Sequence, residues 1–295
     1  MKKILLFALL AMSLVTVLLT GCKKEIDFDF HEVAPVVVIE GRVTNEGMDV
    51  LVSNTRSVAD SVHPRCLPGA VVSITGNGTT TTLPYNADTD SYHSDVTGQA
   101  GQSYQLSVDY DGHHYEASAF MHDAAHILST GFYWLSVMGE RMLAYELWAT
   151  DPQPTERNFL WYRLDRISNH PHILQMNALA KEPYRWSVHD DRGSPLGKIF
   201  INVMTTSEKT MDEDEEENWK SILYEGDKVV CRLMSIDRPV YDYFSSLRAG
   251  QRGGANPNTN ISGGCLGYFA ASTVTRSDTI EFHRSEVQEW QAKAW

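Results

Sequence analysis

The chain has 295 residues, 42% of them hydrophobic and 21% charged, which excludes wholesale disorder and suffices for one large or two ordinary domains. A formal net charge of −13 argues against nucleic acid, because phosphate binding needs clustered Lys and Arg. It also leaves no polybasic patch for anionic lipid heads.

The N-terminus reads as a processing segment. Lys2 and Lys3 form a positive start, and Ile4 to Leu19 is an apolar run broken only by Ser13 and Thr16. Spanning a bilayer takes roughly 20 apolar residues, so this run is short. It ends at Leu19-Thr20-Gly21-Cys22, which has the form of a lipobox. The expectation is a lipoprotein signal peptide over 1–21, cut just before Cys22, with the Cys22 thiol diacylated and the new N-terminus acylated. Two or three acyl chains make a stable membrane anchor where one does not. An ordinary cleaved signal with a chance Cys is the alternative. Residues 22–34 are charged and aperiodic and read as a lipidated tether, in which Glu25, Asp27 and Asp29 hint at surface export.

With Cys22 set aside, Cys66, Cys231 and Cys265 remain, which allows at most one intramolecular pair and a leftover thiol. Cys231 alternates with Val229 and Leu233 and reads as a small buried apolar residue. No CxxC pattern is present, so a structural zinc site of that kind is not expected.

From Pro35 the pattern is β. "VVVIEGRVTN", "DVLVSNT", "GAVVSIT" and "TTTTLPY" precede a hairpin signal in "SYQLSVDYDGHHYEASAFM". There Tyr104, Leu106, Val108 and Tyr110 alternate, Asp111-Gly112 suits a type I′ turn, and Tyr115, Ala117, Ala119 and Met121 return. Several short strands with frequent turn signals predict an immunoglobulin-like or transthyretin-like sandwich over 35–122. "HDAAHILSTG" (122–131) reads as a junction to a second, larger domain over 127–283. In it, a hairpin turns near Met138-Gly139-Glu140, and "NFLWYRLDRI", "KIFINVM" and "DKVVCRLMSI" are strands. Val240, Tyr243, Phe244 and Leu247 fall on one face of a helix opened by Asp237 and Pro239 and closed by Gly250. "CLGYFAASTVT" and "DTIEF" complete an antiparallel β barrel or sandwich with one packed helix. The tail 284–295 is compatible with a short helix presenting Val287, Trp290 and Ala294, and either docks on the domain or frays.

Candidate chemistry is sparse. Ser262 beside Gly263-Gly264 suggests a nucleophile loop, but an elbow needs Gly-x-Ser-x-Gly before a helix, whereas position 260 is Asn and a strand follows. Turn and bulge geometry explains the stretch better. Cys265 has no local His to activate it. His122 and His126 resemble HExxH with Asp123 for Glu, yet strands flank them and the segment is too short for a stable helix. His113, His114, His170 and His172 would bind metal only if the fold gathered them. "MDEDEEE" (211–217) lacks the spacing of a calcium loop and reads as a solvated, mobile acidic loop. Trp161, off the expected core face with Phe159, is the best candidate for an exposed aromatic platform, against packing on the helix or the other domain. No catalytic residue, metal ligand or cofactor is therefore expected, and the residues name neither ligand nor oligomeric state.

Val38-Ile39-Glu40-Gly41, "PGAVVSIT" and Asn260-Ile261-Ser262-Gly263-Gly264 leading into Leu266-Gly267-Tyr268-Phe269 resemble a known family over about Cys22 to Phe282. This is the Bacteroidota outer-membrane lipoprotein family grouped as domain of unknown function four-two-four-nine. Cys265 stands where that family would carry a small residue, which supports a packing role. The resemblance implies an outer-membrane lipoprotein, on the periplasmic or the cell-surface side, that commonly accompanies a TonB-dependent transporter. It implies no catalytic residues. Two other readings compete with an accessory binding role: a hydrolase using His122/His126 metal or Ser262 or Cys265 as nucleophile, and a structural or adhesive surface protein.

Overall fold

The computed structural model of the chain describes residues 34–56, 65–174, 183–214, 217–250 and 256–291. The expected signal peptide, Cys22 and nearly all of the tether lie outside these residues. Strands β1 (Val37–Thr44), β2 (Gly47–Asn54), β3 (Val71–Gly76), β4 (Thr79–Leu83), β5 (Tyr85–Asn86), β6 (Ser91–Ser94), β7 (Ser103–Tyr110) and β8 (His113–Phe120) come first. They are followed by β9 (Ile127–Val137), β10 (Glu140–Thr150), β11 (Phe159–Ile167), β12 (Arg185–Asp190) and β13 (Lys198–Ser207). Helix α1 (Glu208–Glu213), β14 (Lys228–Ile236), helix α2 (Arg238–Gly250), β15 (Leu266–Arg276), β16 (Ile280–Glu281) and β17 (Gln288–Glu289) complete the order.

Local chemistry accounts for the hairpins. Asp111 and Gly112 both adopt positive φ, 50° and 76°, and Tyr110 pairs with His113 across them, as a type I′ turn requires. Met138 and Gly139 do the same between β9 and β10. The alternation of β7 and β8 sends Leu106, Val108, Tyr115 and Ala117 inward and leaves their neighbours outward.

Three sheets result. The broadest has nine strands in the order β12-β11-β14-β15-β1-β2-β6-β5, with β16 also paired to β14. Two four-stranded sheets, β4-β3-β7-β8 and β13-β10-β9-β17, pack on one face of it. Ile39, Val50 and Phe269 meet Val72, Ile74 and Leu106 in the first core. Leu160, Leu164, Cys231 and Leu233 meet Leu143, Tyr145, Leu147 and Ile201 in the second. The result is two sandwiches sharing one layer, and among the described residues no sheet closes into a barrel. The protein is thus mainly β and sandwich-like, and residues 35–295 make one compact unit.

The shared layer depends on a strand from the far end of the chain. β15 runs parallel to β1, with Ile39 opposite Gly267 and Val43 opposite Ala271, amid otherwise antiparallel neighbours. Parallel pairing was not expected from the local patterns, because it joins segments over 200 residues apart. Gly267 makes it sterically feasible. Its φ is +109°, and a Cβ there would lie 1.9 Å from the Ile39 carbonyl oxygen.

Two local expectations are corrected. The tail takes the docked alternative rather than the short helix: within 284–291 a 3₁₀ turn at Arg284–Glu286 leads into β17, which pairs parallel to β9. Trp134, whose ring lies 4.4 and 5.8 Å from the guanidiniums of Arg141 and Arg284, accepts the Trp290 amide at its carbonyl, 2.8 Å away, and holds the tail there. The acidic run is not simply a loop. Ser207 caps α1, Asp212 pairs with Arg284 at 2.7 Å, and Asp214 accepts a hydrogen bond from the Tyr224 hydroxyl at 2.9 Å. Residues 215–216 lie outside the described residues. Among the described residues, no helix is long and apolar enough to cross a membrane.

Candidate functional site

The second face of the nine-stranded sheet is where polar side chains collect. Period-two alternation puts Glu40, Arg42 and Thr44 of β1 on it, opposite the buried Ile39, Gly41 and Val43. Register then fixes their neighbours. Arg42 stands across from Asp49 on β2 and Ala270 on β15, and Asp49 stands across from His93 on β6. On the other side of β15, Arg163 of β11 lies directly opposite Arg232 of β14.

Helix α2 covers part of this face. Val240, Tyr243 and Phe244 bury themselves against Trp161, Met234, Tyr268 and Ala270. The Phe244 ring lies 4.5 Å from Trp161 and 4.8 Å from Tyr268, and Trp186 meets it edge-on at 5.5 Å. Where the helix stops covering the sheet, a cleft of about 640 Å³ opens, walled by Leu51, Trp186, Phe244 and Leu247 and floored by Glu40, Arg42 and Arg163. It adjoins a smaller hollow of about 200 Å³ bordered by Arg42, Arg163 and Arg232. Arg42, Asp49 and Arg163 line both.

The carboxylates around the cleft are mostly engaged. Asp165 pairs with Arg232 at 2.7 Å and more loosely with Arg163 at 3.6 Å, which offsets the repulsion of two guanidiniums set opposite one another. Glu46 takes a two-pronged bond from Arg276, both contacts 2.7 Å. Asp49 accepts from Ser91 at 3.2 Å and contacts His93 at 3.1 Å, and the second His93 nitrogen contacts Asp95 at 3.1 Å. These hydrogen bonds, to Asp95 and then Asp49, raise the His93 pKa above its ordinary value. Burial raises the Glu40 carboxyl, an effect that Arg42 opposes. Burial lowers the Arg163 guanidinium, Asp165 works against that, and Arg42 and Arg232 add to it. Burial likewise pushes the Tyr268 phenol up to about 12.

The residues singled out in the sequence lie elsewhere or are buried. Trp161 is only 5% exposed and packs on α2, so it is not an open platform. Trp186, which alternation alone did not single out, takes the wall position instead. Ser262 donates its hydroxyl to the Glu116 carbonyl at 3.0 Å, and its amide donates to the same oxygen at 2.8 Å, which pins the loop to β8. Cys265 is buried in the first core, and burial pushes its thiol up to about 11. The Asn260 carboxamide bonds both backbone groups of Phe269, at 2.8 and 2.9 Å, standing in for a missing strand partner. "NISGGC" is therefore a structural clamp.

The other candidates are scattered. His122 and His126 sit in an extended segment; His122 meets Phe120 edge-on, and His126 is exposed. His114 bridges Asp109 at 2.7 Å and Glu116 at 3.0 Å. His170 stacks on Tyr224 at 4.2 Å, with His172 5.5 Å away. Among the described residues, no group of three or more His, Cys, Asp or Glu side chains is placed to hold a metal ion. Cys66, Cys231 and Cys265 are all buried and unpaired.

The signal for the cleft was present as the polar members of "EGR", "LWYRLDR" and "VCRLM", each of which reads alone as an ordinary solvent face. Only the strand order makes them one surface. No curated protein matches the chain. A family model described as a domain of unknown function (DUF4249) matches residues 23–278, and the chain belongs to that family.

Proposed function

We propose that the protein is a binding component tethered to the outer membrane through an acylated Cys22, working beside a TonB-dependent transporter and taking its ligand into the cleft beside α2. The observation that carries this reading is the cleft itself, an open concavity with an aromatic and aliphatic wall and a charged floor. This is the usual composition of a small-molecule site. Tethering is supported by Leu19-Thr20-Gly21-Cys22. The competing hydrolase reading gains less support, because Ser262 is engaged with Glu116, Cys265 is buried, and among the described residues no group of three or more His, Cys, Asp or Glu side chains is placed to hold a metal ion.

Affinity purification of the tagged protein from detergent-solubilised outer membranes, with partners identified by mass spectrometry, tests the accessory role. A stoichiometric TonB-dependent transporter is the expected result. Recovery of the protein alone across several mild detergents would refute it. Replacing Cys22 with Ser should release the protein from the membrane fraction, and retention there would refute the tether.

A further inference from the structure

The hollow beside the cleft gathers like charges. The protein as a whole carries −13, yet three guanidiniums, those of Arg42, Arg163 and Arg232, border one hollow of about 200 Å³. Strand register sets Arg163 directly opposite Arg232, and Arg42 reaches the same hollow from beyond β15, whose Arg276, opposite Arg232, is itself held by Glu46. Gathering like charges in a concavity is unfavourable, the more so as water is displaced.

The available acids only partly offset it. Asp165 is held by Arg232, Glu46 by Arg276, and Asp49 by His93 and Ser91. Among the described residues Arg42 has no hydrogen-bond or ion-pair partner, and the buried Nε of Arg163 has no hydrogen-bond acceptor. Both guanidiniums line the hollow, Arg42 with its donors uncommitted and Arg163 held only by its loose 3.6 Å contact with Asp165. Planar forks of this kind match the oxygens of a carboxylate or phosphate. Next to them the larger cleft offers Leu51, Trp186 and Leu247, an apolar wall suited to a ring or short hydrocarbon body. Asp49, Asp90 and Glu40 also line the larger cleft and disfavour a second negative charge on that body.

We infer that the cleft binds an organic anion, with a single carboxylate or phosphate head held between Arg42 and Arg163 and an uncharged, apolar or ring-shaped body against Trp186. This rests on the cleft being the ligand site.

The test uses the full-length protein and four matched probes followed by fluorine NMR line broadening: 4-fluorobenzoate, 4-fluorophenyl phosphate, 4-fluorobenzyl alcohol and 4-fluorobenzamidine. One or both acids should bind, with the alcohol and the amidine at least about tenfold weaker; the stronger acid tells carboxylate from phosphate. Arg42→Gln and Arg163→Gln should each weaken the acid at least about fivefold with thermal unfolding little changed. Among the described residues Arg42 makes no hydrogen bond or ion pair that its loss would break, and Asp165 keeps Arg232 when Arg163 is lost. Lys209→Gln, on exposed α1, is the control for general charge. Binding of the alcohol as tight as the acids, lost in Trp186→Ala but kept in both arginine variants, would overturn the anion assignment and leave the cleft a binding site. Acid binding insensitive to both arginines would also overturn it. Absence of binding by all four probes would overturn the assignment and the cleft reading together.

Discussion

Replacing Gly267 by Ala probes the joint on which the shared sheet depends. The added Cβ would stand 1.9 Å from the Ile39 carbonyl oxygen, 2.7 Å from its carbon and 2.8 Å from the Ile39 nitrogen. Ordinary carbon–oxygen contact begins near about 3.3 Å, so β1 and β15 would have to part by roughly 1.4 Å. A separation of that size breaks the adjacent ladder hydrogen bonds, and two bonds at about 1 kcal/mol each, with φ strain of about 1–3 kcal/mol, total roughly 3–5 kcal/mol. The contrast is Gly264→Ala. Gly264 also has positive φ, +86°, but nothing lies within 4 Å of its Cβ position, so only strain of about 1–2 kcal/mol applies. Urea unfolding followed by tryptophan fluorescence measures both. With a slope of about 3 kcal/mol per molar urea, Gly267→Ala should lower the midpoint by more than about 1 M and Gly264→Ala by about half that or less. Equal shifts for the two variants would refute the argument that close approach at Gly267, rather than its dihedral angle, is what the sheet requires.

Asn260→Ala should destabilise the protein by about 1–3 kcal/mol, because it leaves both backbone groups of buried Phe269 without their side-chain partner; faster hydrogen exchange at the Phe269 amide would locate the effect. The three buried cysteines should resist a water-soluble thiol reagent in the native protein and all react in denaturant. Burial holds Cys231 up to about 12 and Cys265 up to about 11, and a disulfide found by mass spectrometry would contradict this. The His93 ring should titrate above its ordinary 6.5 by NMR, and Asp95→Asn and Asp49→Asn should each lower it. Because the folded pKa is raised, the stabilisation from protonated His93 is complete below the unfolded pKa and is lost as pH rises through the folded one. Arg284→Ala should loosen β17, seen as earlier proteolysis after residue 284, since this side chain joins Asp212 and Glu208 to the Trp134 face.

What was legible in the sequence was whatever depends on neighbours along the chain. Period-two alternation placed β7, β8, β10, β11 and β14, Asp111-Gly112 marked the turn from β7 to β8 and Met138-Gly139 that from β9 to β10, and the i, i+3, i+4 spacing of Val240, Tyr243 and Phe244 marked α2. Each follows from the geometry of one strand, turn or helix and needs no partner to be specified. The mainly β, sandwich-like class and the bland reading of "NISGGC" follow from the same local rules. The parallel pairing of β1 with β15 was decided only in three dimensions, because local alternation is the same whichever strand lies alongside. The same holds for the tail, where Val287 and Trp290 satisfy a helical spacing equally well, and docking on Trp134 and β9 selects the strand. The cleft is the furthest case. Arg42, Arg163 and Arg232 come from three strands separated by up to 190 positions, and each has the look of a solvated face until strand order and α2 determine which part of that face stays open.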